Sequence, residues 1–304
     1  MRPSSATRRG FSILEVIVAL VIVAILGTAV TRLILGQARS FQSDNGSRRA
    51  RSTSRSAMNI LITDLRMTQD NGGVSYLDAV NNRRIDVRVP LVFGVVCEVN
   101  ALSAVIALVP VDSFEIASAK YGGYATRNPT TGVYAYTTTT ALDTVQGAGA
   151  GRCHGSSVNI YADTVTTSGR AGRVVLVTPA PPTGTVVGAP AFIWQTVTYE
   201  FKNSGMYPGS FGLYRVIRGR ANTDTLSEEL LAPFGSTARF SYYTMPSQAQ
   251  DRPTTSAPIP LNYNTVRGFQ ITLPAQASDT VPGRTTPQTA TTTTAVFFKN
   301  TRVQ

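Results

Sequence analysis

Glu15 is the residue whose presence is least explained by the residues around it in the sequence. It stands near the start of an apolar run, and from residue 11 to residue 36 the only other ionisable residue is Arg32. A carboxylate in the hydrocarbon of a bilayer costs roughly 2.5–3.5 kcal/mol on insertion scales. Pairing with a cation in a low-dielectric setting compensates that cost. The position therefore predicts that Glu15 is used to bind a positive charge.

The two cysteines, Cys97 and Cys153, are the next candidates for chemistry. In an oxidising compartment such a pair tends to form a disulfide, which would contribute about 3–4 kcal/mol in the chain-entropy model. Two unrelated thiols are the alternative. His154, the single histidine, follows Cys153 directly, and adjacent residues of a strand point to opposite faces. This geometry disfavours a Cys–His nucleophile pair. Two cysteines and one histidine are also a poor ligand set, so a metal site is disfavoured.

The 17 acidic residues are scattered and predict no metal or acid–base site. One metal alternative is a loop calcium site with these oxygen ligands: Asp78, Asn81, Asn82 and Asp86. The sequence has neither a phosphate-binding loop nor a GxGxxG motif. We therefore expect no catalytic residue, no metal and no cofactor, and a protein that is not an enzyme.

The sequence is strongly basic, with a formal net charge of +11. Three arginines lie in the first ten residues, and the chain without them carries +8. Others cluster after the apolar run: Arg39, Arg48, Arg49, Arg51 and Arg55. This cluster is typical of a solvated helix face, or of a face that meets acidic partners in a bundle. Binding to DNA or another polyanion is the alternative, since a basic patch alone is a weak signal.

Tyrosines gather beside two basic residues in the middle of the chain. The group comprises Tyr121, Tyr124, Tyr134 and Tyr136, near Lys120 and Arg127. Aromatic rings beside cations can stack on nucleic-acid bases. Cross-strand pairing within a β domain produces the same pattern and is the favoured interpretation. Trp194 is expected in the core, on its strand.

The apolar run is long enough to cross a bilayer, since residues 11–31 supply the about 20 apolar residues that a spanning helix needs. Arg2, Arg8 and Arg9 precede it and hold the N-terminus on the cytoplasmic side, so the rest of the chain is exported. A secretory signal would have a shorter apolar core with a small-residue cleavage site after it. Hydropathy alone therefore predicts a single-pass inner-membrane anchor.

The residues around Glu15 resemble the processing site of type IV prepilins and type II secretion pseudopilins. The sequence GFSILE at residues 10–15 follows a basic leader and opens the apolar run. The resemblance implies that prepilin peptidase cuts between Gly10 and Phe11 and methylates the new amine of Phe11. It also implies that Glu15 pairs with the N-terminal amine of a neighbouring subunit during assembly. The implied partners are the peptidase, other pilins and the inner membrane.

A long helix must position this motif. No proline occurs from residue 4 to residue 89, and DNGG at residues 70–73 is a strong stop signal. The sequence therefore predicts a helix over residues 11–68. Asn45 and Gly46 weaken its middle, so a kink or local melting is expected there.

The second half of this helix is amphipathic. Ala57, Leu61 and Leu65 fall on one face, which predicts packing against the exported domain. Residues 69–304 contain short runs rich in Val and Ile, separated by Gly, Pro and Asn turns, and predict a β-rich domain. A threonine-rich stretch at 285–294 is expected to be mobile. The predicted fold class is α+β, with the helix packed on a pilin-like β-rich domain.

A second, looser resemblance covers the exported part. The order of membrane helix, amphipathic helix and β-rich domain is similar to that of the larger minor pilins of the PilW type and of the minor pseudopilin J. Four stretches carry it: 199–207, 212–219, 228–243 and 297–302. Residues 100–190 take no part in it, which predicts an insertion there.

The function that these resemblances imply is that of a minor pilin or pseudopilin in a type IV filament system. It would act in filament initiation or at the tip, with roles in pilus assembly, motility and adhesion. DNA uptake in a competence pilus and type II secretion are alternatives. A membrane-tethered exported domain outside any filament is a further alternative.

Overall fold

The computed structural model describes residues 12–69, 71–78, 80–109, 116, 120–145, 166–167, 170–171, 174–218, 225–244 and 263–298. These residues form a long helix, α1 (Ile13–Met67), a 3-10 helix (Tyr263–Thr265) and fifteen strands. The strands are β1 (Val74–Leu77), β2 (Arg84–Val99), β3 (Ala104–Leu108), β4 (Gly123–Arg127), β5 (Tyr134–Thr138), β6 (Ala141–Val145), β7 (Thr166–Thr167), β8 (Arg170–Ala171), β9 (Val174–Thr178), β10 (Pro190–Asn203), β11 (Phe211–Arg218), β12 (Thr225–Phe234), β13 (Arg239–Thr244), β14 (Val266–Gln276) and β15 (Thr289–Phe297). The predicted α+β class is confirmed.

α1 is unbroken over its 55 residues, a length of about 82 Å at 1.5 Å per residue. Ser12 caps its first turn, because the Ser12 Oγ accepts a hydrogen bond from the Leu14 N–H at 3.2 Å. Beyond the helix the chain turns at Asn71 and Gly72, whose φ angles are 56° and 112°. Glycine takes such a φ without steric cost. The long helix expected from the sequence is present, and its stop signal acts where expected.

The local melting expected as one alternative at Asn45 and Gly46 does not occur, and the helix continues through both residues. The loop between β14 and β15 lies against this point. A Cβ on Gly46 would come 3.2 Å from the Cβ of Ala277 and 3.6 Å from that of Gln288. Glycine therefore permits the close approach of this loop, and the packing holds a segment whose helical propensity is low.

Thirteen strands belong to one antiparallel sheet. Its order is β13-β14-β12-β11-β10-β2-β3-β9-β6, with β1 beside β2, β15 beside β14, β4 beside β10, and β5 beside β4. The remaining described strands, β7 and β8, pair with each other. β2 and β10 are the long central strands, and they pair from Pro190↔Val95 to Glu200↔Arg84. These two strands therefore connect all parts of the sheet.

β2 runs through Pro90 as a single strand, whereas the sequence suggested separate runs at 85–89 and 91–99. The register of its pairing with β10 shifts after Ile193, so that Leu91 is the extra residue of a bulge beside Pro90. Proline is tolerated at a bulge, because the ladder is already interrupted there. β2 therefore continues past Pro90 and contributes residues to hydrophobic cores on both sides of it.

One core lies between α1 and the sheet, and we call it the helix-side core. It contains Leu61 and Leu65 of α1 together with Val87, Tyr199 and Phe269 of the strands. The second core lies at the other end of β2 and β10. Its buried residues include Val92, Ile106, Leu108, Tyr124, Val175 and Ile193. We call β3 to β6 and β9, with the adjoining parts of β2 and β10, the distal lobe.

Strands β3 to β6 and β9 of the distal lobe lie within the stretch that the sequence set apart as an insertion. The insertion at 100–190 nevertheless stays a prediction, as do the leader at 1–10 and the exported domain at 69–304.

The threonine-rich stretch at 285–294 was expected to be mobile, and its residues 289–294 form the first part of β15. β15 pairs with β14 from Thr289↔Gln276 to Phe297↔Gly268. Alternate side chains, beginning with Ala290, are half-buried, and Ala290 packs against the helix-side core. Threonine is β-branched and suits a pleated, half-buried surface. Strand pairing therefore accounts for residues 289–294 of the stretch, and the mobility expected from composition stays a prediction.

Tyr124 gives the distal lobe a pH-dependent stability. It is fully buried, and its hydroxyl donates a hydrogen bond to the Pro179 carbonyl at 2.6 Å. Burial raises the pKa of Tyr124 to about 12, compared with about 10 in the unfolded chain. The unfolded state therefore loses this proton first. The stability contributed is complete below pH 10 and falls as the pH rises from about 10 to 12.

We expect Tyr124→Phe to flatten this alkaline fall, because phenylalanine has no proton to lose. The measurement is the urea midpoint of the detergent-solubilised chain at several pH values between 9 and 12. Tyr76→Phe is the matched control, since that ring is exposed. Identical pH slopes in the wild type and Tyr124→Phe would show that this hydroxyl is not linked to unfolding.

Candidate functional site

The start of α1 presents Glu15 in its first turn. The Ser12 carbonyl accepts hydrogen bonds from the N–H groups of Glu15 at 3.0 Å and Val16 at 3.2 Å, so the helix is formed from its first residues. Glu15 thus lies at the N-terminal end of α1, which is the positive end of the helix dipole. Gly10 and Phe11, the predicted cleavage pair, lie outside the described residues.

Glu15 takes part in no ion pair within the part of the chain that the structure describes. The next basic residue along α1 is Arg32, 17 positions further on, which is about 26 Å at 1.5 Å per residue. A cation for this carboxylate would therefore come from outside the described residues or from another molecule.

The apolar residues that follow Glu15 are not covered by the sheet. Between Ile13 and Leu35 the large apolar side chains are 50–82% exposed. This part of α1 is long and apolar enough to cross a membrane, and none of it is buried. Its side chains therefore require lipid or the helices of other subunits as neighbours.

The second half of α1 is held by the helix-side core. Ala57, Leu61 and Leu65 are fully buried, so the face predicted from their spacing is the face that packs on the sheet. Ser54 is also buried, and its hydroxyl donates a hydrogen bond to the Leu273 carbonyl at 3.3 Å. α1 is thus divided into a bare apolar half and a docked amphipathic half.

A polar cluster fixes the last turns of α1 to the sheet. Asp64 accepts a hydrogen bond from the Tyr199 hydroxyl, and its Oδ2 lies 3.4 Å from Nη2 of Arg215. Burial raises the pKa of Tyr199, and the Asp64 carboxylate raises it further, so the hydroxyl remains a donor. This contact of Asp64 with the sheet was not predicted from the sequence. The available signal was a carboxylate next to the buried face of an amphipathic helix.

The tyrosine cluster of β4 and β5 packs against other rings. The rings of Tyr134 and Tyr136 lie 4.9 and 5.8 Å from that of Phe192, and Trp194 is buried beside them. Tyr124 is enclosed in the distal core. The favoured interpretation, cross-strand packing, accounts for these contacts. The buried ring of Tyr124 is not available for stacking on nucleic-acid bases.

The aspartates considered as calcium ligands have other partners. Asp86 is buried and pairs with Arg84 at 2.8 Å and with Arg218 at 3.7 Å. Asp78 accepts hydrogen bonds from two backbone N–H groups of its own turn. Among the described residues, no group of three or more His, Cys, Asp or Glu is placed to hold a metal ion. The geometry therefore gives the calcium alternative no support.

Cys97 lies on β2 and is buried in a small cluster with Val105 and Val174. Cys153 and His154 lie outside the described residues. The disulfide between the two cysteines therefore stays a prediction.

Comparison with known proteins identifies a family motif in the N-terminal segment. A family model described as the prokaryotic N-terminal methylation motif matches residues 5–31. The match spans Gly10, Phe11 and Glu15, and this motif implies processing by a prepilin peptidase. No curated protein and no solved structure matches the chain. The chain therefore carries the prepilin-type methylation motif of the type IV pilin and pseudopilin family, whose members are typically structural proteins.

Proposed function

We propose that the chain is a minor pilin or pseudopilin, a subunit that enters a type IV filament after its leader is removed. One observation supports this most directly: beside the methylation motif, α1 leaves its apolar half bare while its second half is docked on the sheet. Such a helix can reside in lipid and then in a helical bundle, because neighbouring helices replace the lipid contacts. The role is mechanical rather than catalytic.

Processing between Gly10 and Phe11, with methylation of the Phe11 amine, is part of this proposal. In a staggered bundle, the freed amine of one subunit can reach the Glu15 carboxylate of the next. An ion pair between the amine and the carboxylate would compensate the cost of burying both charges. This pair would form only in the assembled state. Glu15 thereby sets the axial register of the subunit.

The proposed topology places the N-terminus in the cytoplasm and the β-rich domain on the periplasmic or extracellular side. Residues 11–31 would cross the inner membrane, and Arg2, Arg8 and Arg9 would hold the leader inside. An oxidising compartment outside the membrane would favour the disulfide between Cys97 and Cys153.

A place at filament initiation or at the tip fits the size of the exported part. The distal lobe extends the sheet beyond the core on which α1 packs, and such bulk would hinder repeated stacking of identical subunits. The looser resemblance to PilW-type minor pilins and to the minor pseudopilin J points to the same position.

The N-terminal mass of the chain recovered from membranes tests this proposal. We expect loss of residues 1–10 and the added mass of one methyl group on Phe11. A chain that keeps its first ten residues would contradict processing. A deletion strain with normal piliation, twitching, secretion and DNA uptake would contradict a role in any of these filaments.

DNA uptake is the second candidate function, and the exposed arginines of α1 favour it. Phosphate contacts made by arginine weaken steeply as salt rises. Duplex-DNA binding by the detergent-solubilised chain, with that salt dependence, would support a competence pilin. Loss of secretion alone in a deletion strain would instead indicate a pseudopilus.

A further inference from the structure

The side of α1 turned away from the sheet carries what we call the arginine stripe: Arg48, Arg51 and Arg55. Their spacing of three and four residues places them along one face over about 10 Å. All three are exposed. No carboxylate in the described part of the chain forms an ion pair with any of them. The stripe is therefore a charged surface that the described part of the fold leaves open.

The helix around the stripe has few carboxylates to neutralise it. Residues 37–67 contain six arginines and two acidic residues, Asp44 and Asp64. Asp64 faces the sheet, where it is held by Tyr199 and Arg215. Asp44 alone remains, one turn before the stripe. The surface thus keeps an excess of positive charge.

The membrane surface is too far from the arginine stripe to be its partner. Arg32 marks the end of the apolar run, and Arg48 follows 16 residues later. For an upright helix this is about 24 Å. Charges are screened over about 8 Å at physiological ionic strength. Anionic lipid headgroups would therefore act on Arg32 and Arg39 rather than on the stripe.

A second copy of the chain is also a poor partner. A neighbouring copy staggered by the four residues between Phe11 and Glu15 would bring its Asp44 level with Arg48, but it would offer no carboxylate to Arg51 and would set its own Arg51 level with Arg55, and like charges facing each other across an interface are unfavourable. The exposed Ser52 and Ser56 lie between and beside the arginines and are small. They leave room for another helix to come close enough for direct arginine–carboxylate contacts.

We propose that the arginine stripe binds an acidic helix of a different filament subunit, one with carboxylates at matching spacings of three and four residues. This inference rests on the proposed function. It predicts that the chain takes one fixed place in a heteromeric assembly, beside that acidic subunit. The charge pattern selects the partner, while the apolar half of α1 supplies the common attachment to the bundle.

Photocrosslinking in the native host tests this inference on the full chain. With p-benzoylphenylalanine in place of Ser52, we expect an adduct with another pilin-family subunit, at a helical segment bearing Asp or Glu at the predicted spacing. The triple variant Arg48→Glu, Arg51→Glu, Arg55→Glu should lower the adduct yield at least about tenfold. Changing the captured carboxylates to lysine should restore it.

Two control variants separate charge from fold. The triple lysine variant keeps the charge at all three positions and should still form the adduct. Arg239→Glu changes one exposed arginine on β13, away from α1, and should have no effect. Where the triple glutamate variant does not accumulate, Arg51→Glu alone replaces it, with the same reversal in the partner.

Several outcomes would overturn the inference. These are an adduct with a second tagged copy, with lipid or with DNA, an adduct at a segment without carboxylates, and no adduct at all. The N-terminal mass measured in the same strains keeps the two proposals apart. If residues 1–10 are removed normally and one of these outcomes is found, only the role of the arginine stripe is contradicted. If the leader is retained, the proposed function itself is contradicted.

Discussion

Glu15→Ala is expected to lower the fraction of the chain recovered in filaments, relative to the membrane pool, by at least about a hundredfold. Breaking a buried charge pair costs about 3–5 kcal/mol, because the remaining charge is left buried and unpaired. Each 1.4 kcal/mol is a tenfold change in an equilibrium. In the assembled state that remaining charge would be the Phe11 amine of a neighbouring subunit. The effect therefore falls on assembly.

The fold of the β-rich part should be unchanged in this variant. Glu15 is exposed, and the first buried residue of α1 is Ala50, about 52 Å further along the helix. The measurement is a quantitative immunoblot of sheared filaments against membranes, with protease resistance of the β-rich domain as the check on folding.

Two further variants make this prediction sharper. Glu15→Gln keeps the size of the side chain and removes only the charge, and it should fail as Glu15→Ala does. Thr28→Val is the matched control within the apolar run, because the Thr28 hydroxyl is already satisfied by the Ile25 carbonyl at 2.8 Å. It should assemble normally. Assembly of Glu15→Gln at the wild-type level would end the ion-pair model.

The parts of the molecule that sequence could predict are those whose determinants are local. The methylation motif occupies a few consecutive residues, so it can be found without knowing the fold. The docked face of α1 follows from the spacing of Ala57, Leu61 and Leu65 along one helix. Burial of all three shows that periodicity alone was sufficient there.

The features that sequence could not predict depend on partners distant in the chain. The bulge that admits Pro90 exists only because β2 pairs with a strand a hundred residues later. β15 pairs with the strand before it, β14, and packs Ala290 against the core beneath α1, a set of contacts that composition cannot reveal. Asp64 meets Tyr199 across 135 positions. In each case tertiary contact decided a conformation or a role that local propensity left open.

Leu61→Ala is expected to lower the free energy of unfolding of the β-rich part and its docked helix by about 3 kcal/mol. Leu61 is fully buried in the helix-side core, and leucine-to-alanine changes at such sites cost about 2–5 kcal/mol through lost burial and the cavity left behind. Whole domains are stable by only about 5–15 kcal/mol. The change should therefore move the urea midpoint strongly, as followed by near-ultraviolet circular dichroism of the detergent-solubilised chain.

Leu33→Ala is the control that separates the effect of lost packing from the effect of a smaller apolar side chain. It makes the same chemical change on the same helix, at a side chain that is 63% exposed in the bare half, and should leave the midpoint unchanged. Equal effects of the two variants would mean that α1 does not dock through the helix-side core. Fluorescence of Trp194 extends the test, because β10 carries this residue at the distal end and Tyr199 at the helix side. We expect both probes to shift together in Leu61→Ala, since the continuous strands β2 and β10 transmit the loss of helix packing to the distal lobe.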